Sequence, residues 1–320
     1  MKDKCFYCYN SLNGETTEFH PACSQLFFGT PVPPTLEYTN ADMKKLAAER
    51  ILDRIAVTGA QPKISLTINK EKDPKTSRLT IVGLWGDFIL KPPSELYPSL
   101  PENEDITMHL AELLKIKTAF HSLIRLKSGE LAYITRRFDR VNKTKLALED
   151  LCQLTETLTS DKYKGSYERT GKKIAEFSDQ PKFDLLSYFE IILFSFICGN
   201  ADMHLKNFSL LTQEKNNITS LAPAYDLLST RIAIPEDKEE MALFLNGKKN
   251  RINRSDFDKF AETLGLEKRA VQNIYEKFAS SSPSIIHFLD HGFLLKDQKE
   301  QYQDLVIKNV NALKLSIGYR

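Results

Sequence analysis

Two acidic residues and an amide stand at a spacing that could serve phosphoryl transfer. Asp202 is followed five residues later by Asn207, and Asp226 comes nineteen residues after that. Phosphoryl transfer needs one carboxylate that orients the attacking hydroxyl and takes its proton. It also needs hard oxygen ligands that hold metal ions on the phosphates. Asp202 could serve as the base, and Asn207 and Asp226 could supply the ligands. Either motif alone is more typical of an ordinary loop, so the prediction depends on their combination.

A lysine and a short loop upstream could bind the phosphates of a nucleotide. Lys91 ends the apolar run Phe88–Leu90, where a strand lysine that contacts phosphates would stand. Taken alone, a solvated lysine at a strand end is an equally good interpretation. The loop Val57–Lys63 separates a helical pattern from a strand pattern, and its backbone N–H groups could surround phosphate oxygens. Its single glycine matches neither of the common glycine-rich nucleotide motifs.

The elements that must position these residues divide the chain into a sheet-rich part and a helix-rich part. Alternating apolar residues and turn signals predict an antiparallel sheet over residues 61–91. After Leu148 the pattern is mostly helical, and Phe183–Cys198 is apolar enough for a buried helix just before Asp202. The sequence therefore predicts an α+β, two-lobe fold. The predicted parts are an N-terminal segment (1–30), a sheet-rich lobe (31–140) and a helical lobe (141–320). Further predicted elements are helices over Asp105–Lys115 and Lys268–Ser280 and a strand over Met241–Phe244.

Composition argues against several classes of protein. The 320 residues include 44 basic and 42 acidic side chains, and the net charge of +2 gives no bulk reason to wrap nucleic acid. No run approaches the roughly 20 apolar residues of a membrane span, and the first residues lack the apolar core of a secretory signal. We therefore expect a cytoplasmic protein. Since the five cysteines are an odd number in a reducing compartment, we expect no disulfides.

Four residues near the N-terminus have the types and spacing of a zinc site. They form the pairs Cys5-x2-Cys8 and His20-x2-Cys23. Thiolate and imidazole groups are the usual ligands of tetrahedral Zn²⁺, and the turn signal Asn13-Gly14 could bring the pairs together. The alternative is a set of free cysteines beside a histidine that precedes a helix. Since so short a segment buries little surface of its own, a metal is the favoured interpretation.

Together these motifs resemble the HipA family of bacterial serine/threonine kinases. The matching stretches are Val57–Lys63, Phe88–Pro92, Arg136–Arg140, Asn200–Ser209 and Ala224–Ser229. The order Asn-x-Asp-x-His-x-x-Asn followed by Tyr-Asp is specific to this family and to distantly related phosphoinositide kinases. The resemblance implies a protein-kinase-like fold with ATP and Mg²⁺ as cofactors.

The resemblance also implies a role for each matching residue. Asp202 would be the catalytic base, Asn207 and Asp226 would bind Mg²⁺, and Lys91 would hold the phosphates of ATP. His204 would either contact a phosphate or the metal shell, or pack and stabilise its loop. The phosphate loop would comprise Thr58, Gly59, Ala60, Gln61 and Lys63, and the residues beside adenine would be Arg136 and Phe138. Arg137 and Arg140 would pair with carboxylates.

Partners follow from the resemblance as well. Known members are toxins that phosphorylate aminoacyl-tRNA synthetases and associate with a DNA-binding antitoxin. The implied partners are thus a protein substrate of that kind and a HipB-like antitoxin, with DNA contacted only through the antitoxin and no membrane. Since 56 residues precede Val57, the chain looks like the shorter HipT-type toxins, which have a small HipS-like partner. The family's autophosphorylated loop serine is replaced by Ala56, near the hydroxyls of Thr58 and Ser65.

Two alternatives stay open at this point. The same motif could serve a kinase of a small molecule or a phosphoinositide head group. A kinase fold without activity could instead be kept as a binding module or corepressor. The four polar residues Asp202, Asn207, Asp226 and Lys91 are all present, which argues against an inactive fold.

Overall fold

The computed structural model of the protein describes residues 4–12, 14, 17–52, 62–69, 77–82, 85–141 and 144–315. Two units emerge from the contacts along the chain. The first comprises Met1–Asp105, Ala119–Lys143 and Gly292–Leu294, and the second comprises Ile106–Thr118, Thr144–His291 and Leu295–Arg320. Residues 1–30 thus cluster with the sheet-rich part. Residues 106–118 belong to the second unit, and residues 141–143 and 292–294 belong to the first.

Ten α-helices and ten β-strands fall within the described residues. The helices are α1 (Pro21–Phe28), α2 (Asn40–Leu52), α3 (Leu100–Leu113), α4 (Leu151–Leu154), α5 (Tyr167–Phe177), α6 (Pro181–Cys198), α7 (Thr230–Ala233), α8 (Arg254–Thr263), α9 (Lys268–Leu289) and α10 (Lys296–Ala312). The strands are β1 (Ile64–Asn69), β2 (Arg78–Ile81), β3 (Phe88–Lys91), β4 (His121–Arg125), β5 (Leu131–Arg136), β6 (Arg140–Val141), β7 (Thr144–Lys145), β8 (Leu148–Asp150), β9 (Ser209–Thr212) and β10 (Thr219–Leu221).

The first unit is built on a five-stranded antiparallel sheet in the order β2-β1-β3-β5-β4. Strand β3 lies in the middle and pairs with β1 on one side and with β5 on the other. Leu90 is opposite Ile64 on β1 and Ile134 on β5, and all three side chains are buried. The predicted antiparallel sheet is therefore present, and Lys91 ends its central strand.

Aromatic side chains join the N-terminal segment to this sheet. Helix α1 starts with Pro21, which suits a first-turn position, and ends at Gly29 with φ 77°. Its last residues Phe27 and Phe28 are buried and pack against Phe88 at the start of β3, with ring centroids 5.7 and 6.0 Å apart. Burial of these rings gives the N-terminal segment a core that it shares with the sheet.

The second unit is built around α6. Pro181 occupies its first turn, Gly199 closes it in the left-handed conformation with φ 66°, and most of its side chains are buried. Its Phe189 stacks on Phe260 of α8 and meets Tyr275 of α9 edge-on. The buried apolar helix predicted before Asp202 is therefore present, and the loop 199–207 follows directly from its end.

A small sheet in the order β10-β9-β8 flanks this loop. Strand β9 begins at Ser209, directly after the loop, and pairs antiparallel with β8 and β10. Asp150, opposite Ser209 on β8, caps the N-terminus of α4 with its side chain. The loop is thus held between a buried helix and a sheet strand, which leaves its backbone little freedom.

Three predicted elements differ in the structure, and the first is the helix predicted over Asp105–Lys115, which is α3 (Leu100–Leu113). Met241–Phe244 forms no strand, and its one ladder contact is an isolated bridge between Phe244 and Ser166. Helix α9 continues beyond Ser280 to Leu289, with Pro283 inside it. None of the helices in the described ranges combines the length and the apolar character that crossing a membrane requires.

Candidate active site

The first half of the loop 199–207 is fixed by side chains from two other helices. Asn309 of α10 donates a hydrogen bond to the Phe196 carbonyl oxygen at 2.8 Å, which caps the end of α6. The Thr230 hydroxyl of α7 donates to the Gly199 carbonyl oxygen at 3.1 Å and accepts from the Ala201 N–H at 2.9 Å. The direction in which the chain leaves α6 is therefore set by several hydrogen bonds.

Two tyrosines fix the second half of the loop. The Tyr167 hydroxyl donates to the Met203 carbonyl oxygen at 3.0 Å, and the Tyr225 hydroxyl donates to the Lys206 carbonyl oxygen at 2.9 Å. Burial raises the pKa of both phenols, so both remain donors at neutral pH. The Lys206 ammonium also pairs with Asp150 at 2.5 Å.

Asp202 has the most exposed side chain of the predicted loop residues, with 39% of it accessible. Its Oδ1 accepts a hydrogen bond from the Tyr163 hydroxyl at 2.6 Å, and its backbone N–H donates to Asn200 Oδ1 at 3.0 Å. Burial and the nearby Asp202 charge both raise the pKa of Tyr163, so the phenol stays a donor. Oδ2 is then the atom that could take a proton from a hydroxyl.

Asn207 is buried at the end of the 3-10 turn Leu205–Asn207. Its Nδ2 donates to the Asp202 backbone carbonyl oxygen at 2.8 Å. This hydrogen bond ties the two ends of the motif together across five residues. Because the amide nitrogen makes that bond, Oδ1 is the atom that could bind a metal ion.

His204 lies between these residues and is buried. Its ring meets Tyr163 edge-on with centroids 5.0 Å apart, and its Nε2 is 3.9 Å from Asp202 Oδ1. Burial lowers the pKa of His204, and the charge of Asp202 opposes that effect only in part. The ring is therefore neutral at pH 7, and its packing accords with the interpretation in which it stabilises the loop.

Asp226 follows Tyr225 in an uncommon backbone conformation. Its φ of 55° lies in the left-handed region, where residues other than glycine are rare and often functional. The hydroxyl of Tyr225, its neighbour in the sequence, donates to the Lys206 carbonyl oxygen, so the Asp226 backbone lies beside the loop. The structure thus places Asp202, His204, Asn207 and Asp226 in one region of the second unit.

Lys91 lies in the first unit, where only 3% of it is exposed. Its Nζ is 2.5 Å from Oε1 of Glu104, which is 1% exposed, and 5.3 Å from the ring centre of Tyr133. An isolated buried ammonium would be costly, and the Glu104 carboxylate offsets that cost as its ion-pair partner. Protein kinases pair their strand lysine with a helix glutamate in the same manner.

Sequence reasoning missed Glu104. The predicted helix began at Asp105, whereas α3 begins at Leu100, so Glu104 lay outside the element that carries it. Pro101 in the first turn was the available signal, because proline favours the start of a helix. A glutamate in the next turn, on the side of the apolar residues, would then have been a candidate partner for Lys91.

The remaining predicted residues have separate outcomes. Lys63 is exposed just before β1, Arg136 is exposed at the end of β5, and Phe138 is half-buried. Arg137 and Arg140 both pair with Asp139, at 2.8 and 2.6 Å, as expected. The burial of Asp139 raises its pKa, but hydrogen bonds and charge from the two arginines outweigh burial and lower it. Outside the described residues lie Thr58, Gly59, Ala60 and Gln61.

The four N-terminal ligand candidates converge. One ligand atom from each of Cys5, Cys8, His20 and Cys23 lies within 4.8 Å of the other three. Burial raises the pKa of the Cys5 thiol, but hydrogen bonds from backbone N–H groups, first among them those of Cys8 and His20, outweigh burial and lower it.

Comparisons with known proteins place this chain in a family. Residues 55–286 match the family described as "HipA-like C-terminal domain". A Sinorhizobium fredii protein provisionally named a kinase, Y4dM, is 34% identical over 55% of this chain and 45% of its own length. The "Serine/threonine-protein kinase toxin HipA" of Shewanella oneidensis is 27% identical over 73% of this chain and 57% of its own length. The chain thus spans about half the length of these relatives.

A solved structure contains a chain with a similar fold. The complex of Shewanella oneidensis HipA, HipB and operator DNA contains a chain that matches with a TM-score of 0.68. The match covers 88% of this chain and 73% of that chain at 20% identity. The α+β, kinase-like fold predicted from the sequence is thereby confirmed. The matched region contains both the Lys91 strand and the Asp202 loop, and the chain belongs to the HipA-like C-terminal domain family.

Proposed function

We propose that this protein is an ATP-dependent kinase that transfers the γ-phosphoryl group to a serine or threonine hydroxyl of a protein. The observation that carries the proposal is the hydrogen bond from Asn207 Nδ2 to the Asp202 carbonyl oxygen. It fixes a carboxylate for the nucleophile and an amide oxygen for a metal on the same rigid loop. Catalysis of phosphoryl transfer depends on such positioning and on charge neutralisation.

Asp202 is the proposed base. Tyr163 holds Oδ1 of its carboxylate, and Oδ2 accepts a hydrogen bond from the substrate hydroxyl. As the hydroxyl oxygen bonds to the γ-phosphorus, its proton passes to Asp202 and the bond to the β-phosphate oxygen of ATP breaks. A base of this kind contributes roughly 10²- to 10⁴-fold to the rate.

Asn207 and Asp226 are the proposed ligands of Mg²⁺. Both offer the hard oxygen atoms that this ion prefers. Asn207 is hydrogen-bonded to the Asp202 backbone, and Asp226 follows Tyr225, whose hydroxyl is hydrogen-bonded to Lys206 of the same loop. When bound, Mg²⁺ supplies charge neutralisation on the phosphates. Lys91 is the proposed phosphate contact of the first unit, with Glu104 holding its ammonium in place. The other proposed nucleotide contacts are Thr58, Gly59, Ala60, Gln61, Lys63, Arg136 and Phe138.

The proposed biological setting is a toxin–antitoxin pair. The kinase toxin HipA among the relatives and the HipA–HipB–DNA complex among the similar structures support this setting. The partner would be a HipB-like antitoxin, which would make the contact with DNA, and a small HipS-like protein would be a second partner. The proposed substrate is a translation-related protein such as an aminoacyl-tRNA synthetase.

A labelling experiment tests the proposal. The protein is incubated with γ-³²P-ATP, Mg²⁺ and a bacterial lysate, and the label is followed into protein, lipid and small-molecule fractions. We expect label in protein on phosphoserine or phosphothreonine, and none when EDTA removes Mg²⁺. Label in lipid or in small molecules would favour the alternative kinase classes. The absence both of transfer and of heat on calorimetric titration with Mg·ATP would favour an inactive binding module.

A further inference from the structure

The segment before β1 contains a convergence of ligand atoms that phosphoryl transfer does not use. Cys5 and Cys8 lie on a tight turn, in which the Tyr9 N–H donates to the Cys5 carbonyl oxygen at 2.9 Å. His20 is the residue before α1, and Cys23 lies in its first turn. Two short elements thus present two ligand candidates each, and all four ligand atoms lie within 4.8 Å of one another.

The individual distances fit a tetrahedral metal. Bonds of about 2.3 Å to sulfur and 2.0–2.1 Å to nitrogen place sulfur and nitrogen about 3.6 Å apart at the tetrahedral angle. The Nδ1 atom of His20 is 3.4 Å from Cys8 Sγ and 3.7 Å from Cys23 Sγ. Two thiol hydrogen bonds to Nδ1 would explain these two distances less well, because Nδ1 has a single lone pair in the ring plane.

The tautomer of His20 also fits a metal ligand. Its Nε2 is 2.9 Å from the carbonyl oxygen of Ser11. A carbonyl oxygen only accepts, so Nε2 carries the proton and the Nδ1 lone pair is directed at the sulfur atoms. A hydrogen bond from the remote ring nitrogen to a backbone carbonyl is how metal-bound histidines are oriented in proteins.

We infer that Cys5, Cys8, His20 and Cys23 bind one structural Zn²⁺ ion. Four protein ligands leave no open position, as in closed structural sites, and three thiolates with one imidazole are a common zinc ligand set. The ion would join the N-terminal turn to α1. It would thereby hold Phe6 against Phe19, whose ring centroids are 5.9 Å apart, and Phe27 and Phe28 against Phe88 of β3.

The site would support the strand that carries Lys91, since Phe88 and Lys91 are the first and last residues of β3. Other contacts fasten the same segment to the sheet. The Arg125 side chain of β4 pairs with Glu18 at 2.5 Å and lies over the Phe6 ring. We therefore expect loss of zinc to loosen the N-terminal segment locally and to leave the second unit folded.

Metal analysis of the full chain tests the inference. The wild type, purified from zinc-supplemented cells under reducing conditions, should contain one zinc per chain by mass spectrometry. The Cys8→Ser/Cys23→Ser double variant should contain at most about a tenth of that amount, because two of four ligands are lost. The matched control is Cys152→Ser, a cysteine in α4 outside the cluster, which should keep one zinc.

A second measurement avoids dependence on the folding of the variant. Wild-type protein in which Co²⁺ replaces zinc should show intense tetrahedral d–d bands and thiolate-to-metal charge-transfer bands. The inference would be overturned by a wild type that holds no stoichiometric zinc, or that holds iron instead. It would equally be overturned by weak octahedral Co²⁺ bands or by full zinc retention in the double variant.

Discussion

Asp202 keeps a partly exposed carboxylate, whereas Asn200, His204 and Asn207 of the same loop are buried. Tyr163, Asn200 and Asn207 each hold a different part of it, through the carboxylate, the N–H and the carbonyl oxygen. The motif spacing was enough to predict Asp202 and Asn207 as a pair. It could not predict Tyr163, because that residue comes from a distant segment, and a tyrosine before α5 carries no signal of its own.

His204 provides a prediction at the scale of one residue. Burial lowers the pKa of its imidazole, so the folded protein takes up a proton at lower pH than the unfolded chain, whose histidine titrates near 6.5. The stabilising contribution is complete above about pH 6.5 and is lost as the pH falls through the folded-state pKa. In that window the loss approaches about 1.4 kcal/mol per pH unit.

Replacing this imidazole should therefore flatten the pH dependence. We expect the free energy of unfolding of His204→Gln, measured by urea denaturation between pH 7.5 and 5, to fall less steeply than that of the wild type. The control His287→Gln changes an exposed imidazole on α9 and should follow the wild-type slope. Equal slopes for the wild type and His204→Gln would contradict the account of a buried neutral ring.

At the scale of elements, the end of α6 decides where the loop goes. The sequence predicted this helix and placed its end at Cys198, because apolar periodicity stops there and Gly199 follows. What it could not give was the packing around Gly199, which depends on α7 and α10. A Cβ atom at Gly199 would lie 2.6 Å from Leu305 Cδ2 and 3.1 Å from Arg231 Cβ.

Gly199→Ala should therefore destabilise the protein for two reasons. The left-handed conformation costs an L-residue about 1–2 kcal/mol, and the clash with Leu305 adds about 1–3 kcal/mol. Gly265→Ala is the matched control, with φ 69° and nothing within 4 Å of its Cβ position, so it should lose only the conformational part. Thermal or urea unfolding measures the loss of stability in each of the two variants.

A double-mutant cycle separates the two causes. Adding Leu305→Ala should make Gly199→Ala less destabilising than it is in the wild-type background, because the clashing methyl group is removed. The same addition should leave the cost of Gly265→Ala unchanged. If Gly199→Ala and Gly265→Ala lost equal stability in both backgrounds, close packing at the end of α6 would not be what fixes the loop.

At the scale of the whole molecule, the residues proposed for phosphoryl transfer are distributed over the two units. Lys91 and Glu104 belong to the first, whereas Asp202, Asn207 and Asp226 belong to the second. The family resemblance connected these residues from the sequence alone, because their motifs follow one another along the chain in the same order as in the family. Local sequence patterns were less informative about the secondary structure of segments whose conformation depends on tertiary contacts. Met241–Phe244 has strand-like composition but only a single bridge, and Pro283 does not end α9.

The most direct test of the account is the rate of phosphoryl transfer to protein by Asp202→Asn. The substitution keeps the size of the side chain and an oxygen that accepts from Tyr163, but it removes the base. The matched control is Asp258→Asn, since Asp258 lies on α8 and its side chain is 49% exposed. Calorimetric titration with Mg·ATP checks that both variants still bind nucleotide.

We predict that Asp202→Asn loses about 10²- to 10⁴-fold in the transfer rate while binding Mg·ATP like the wild type, and that Asp258→Asn keeps its rate. Transfer by Asp202→Asn at the wild-type rate would contradict the assignment of Asp202 as the base.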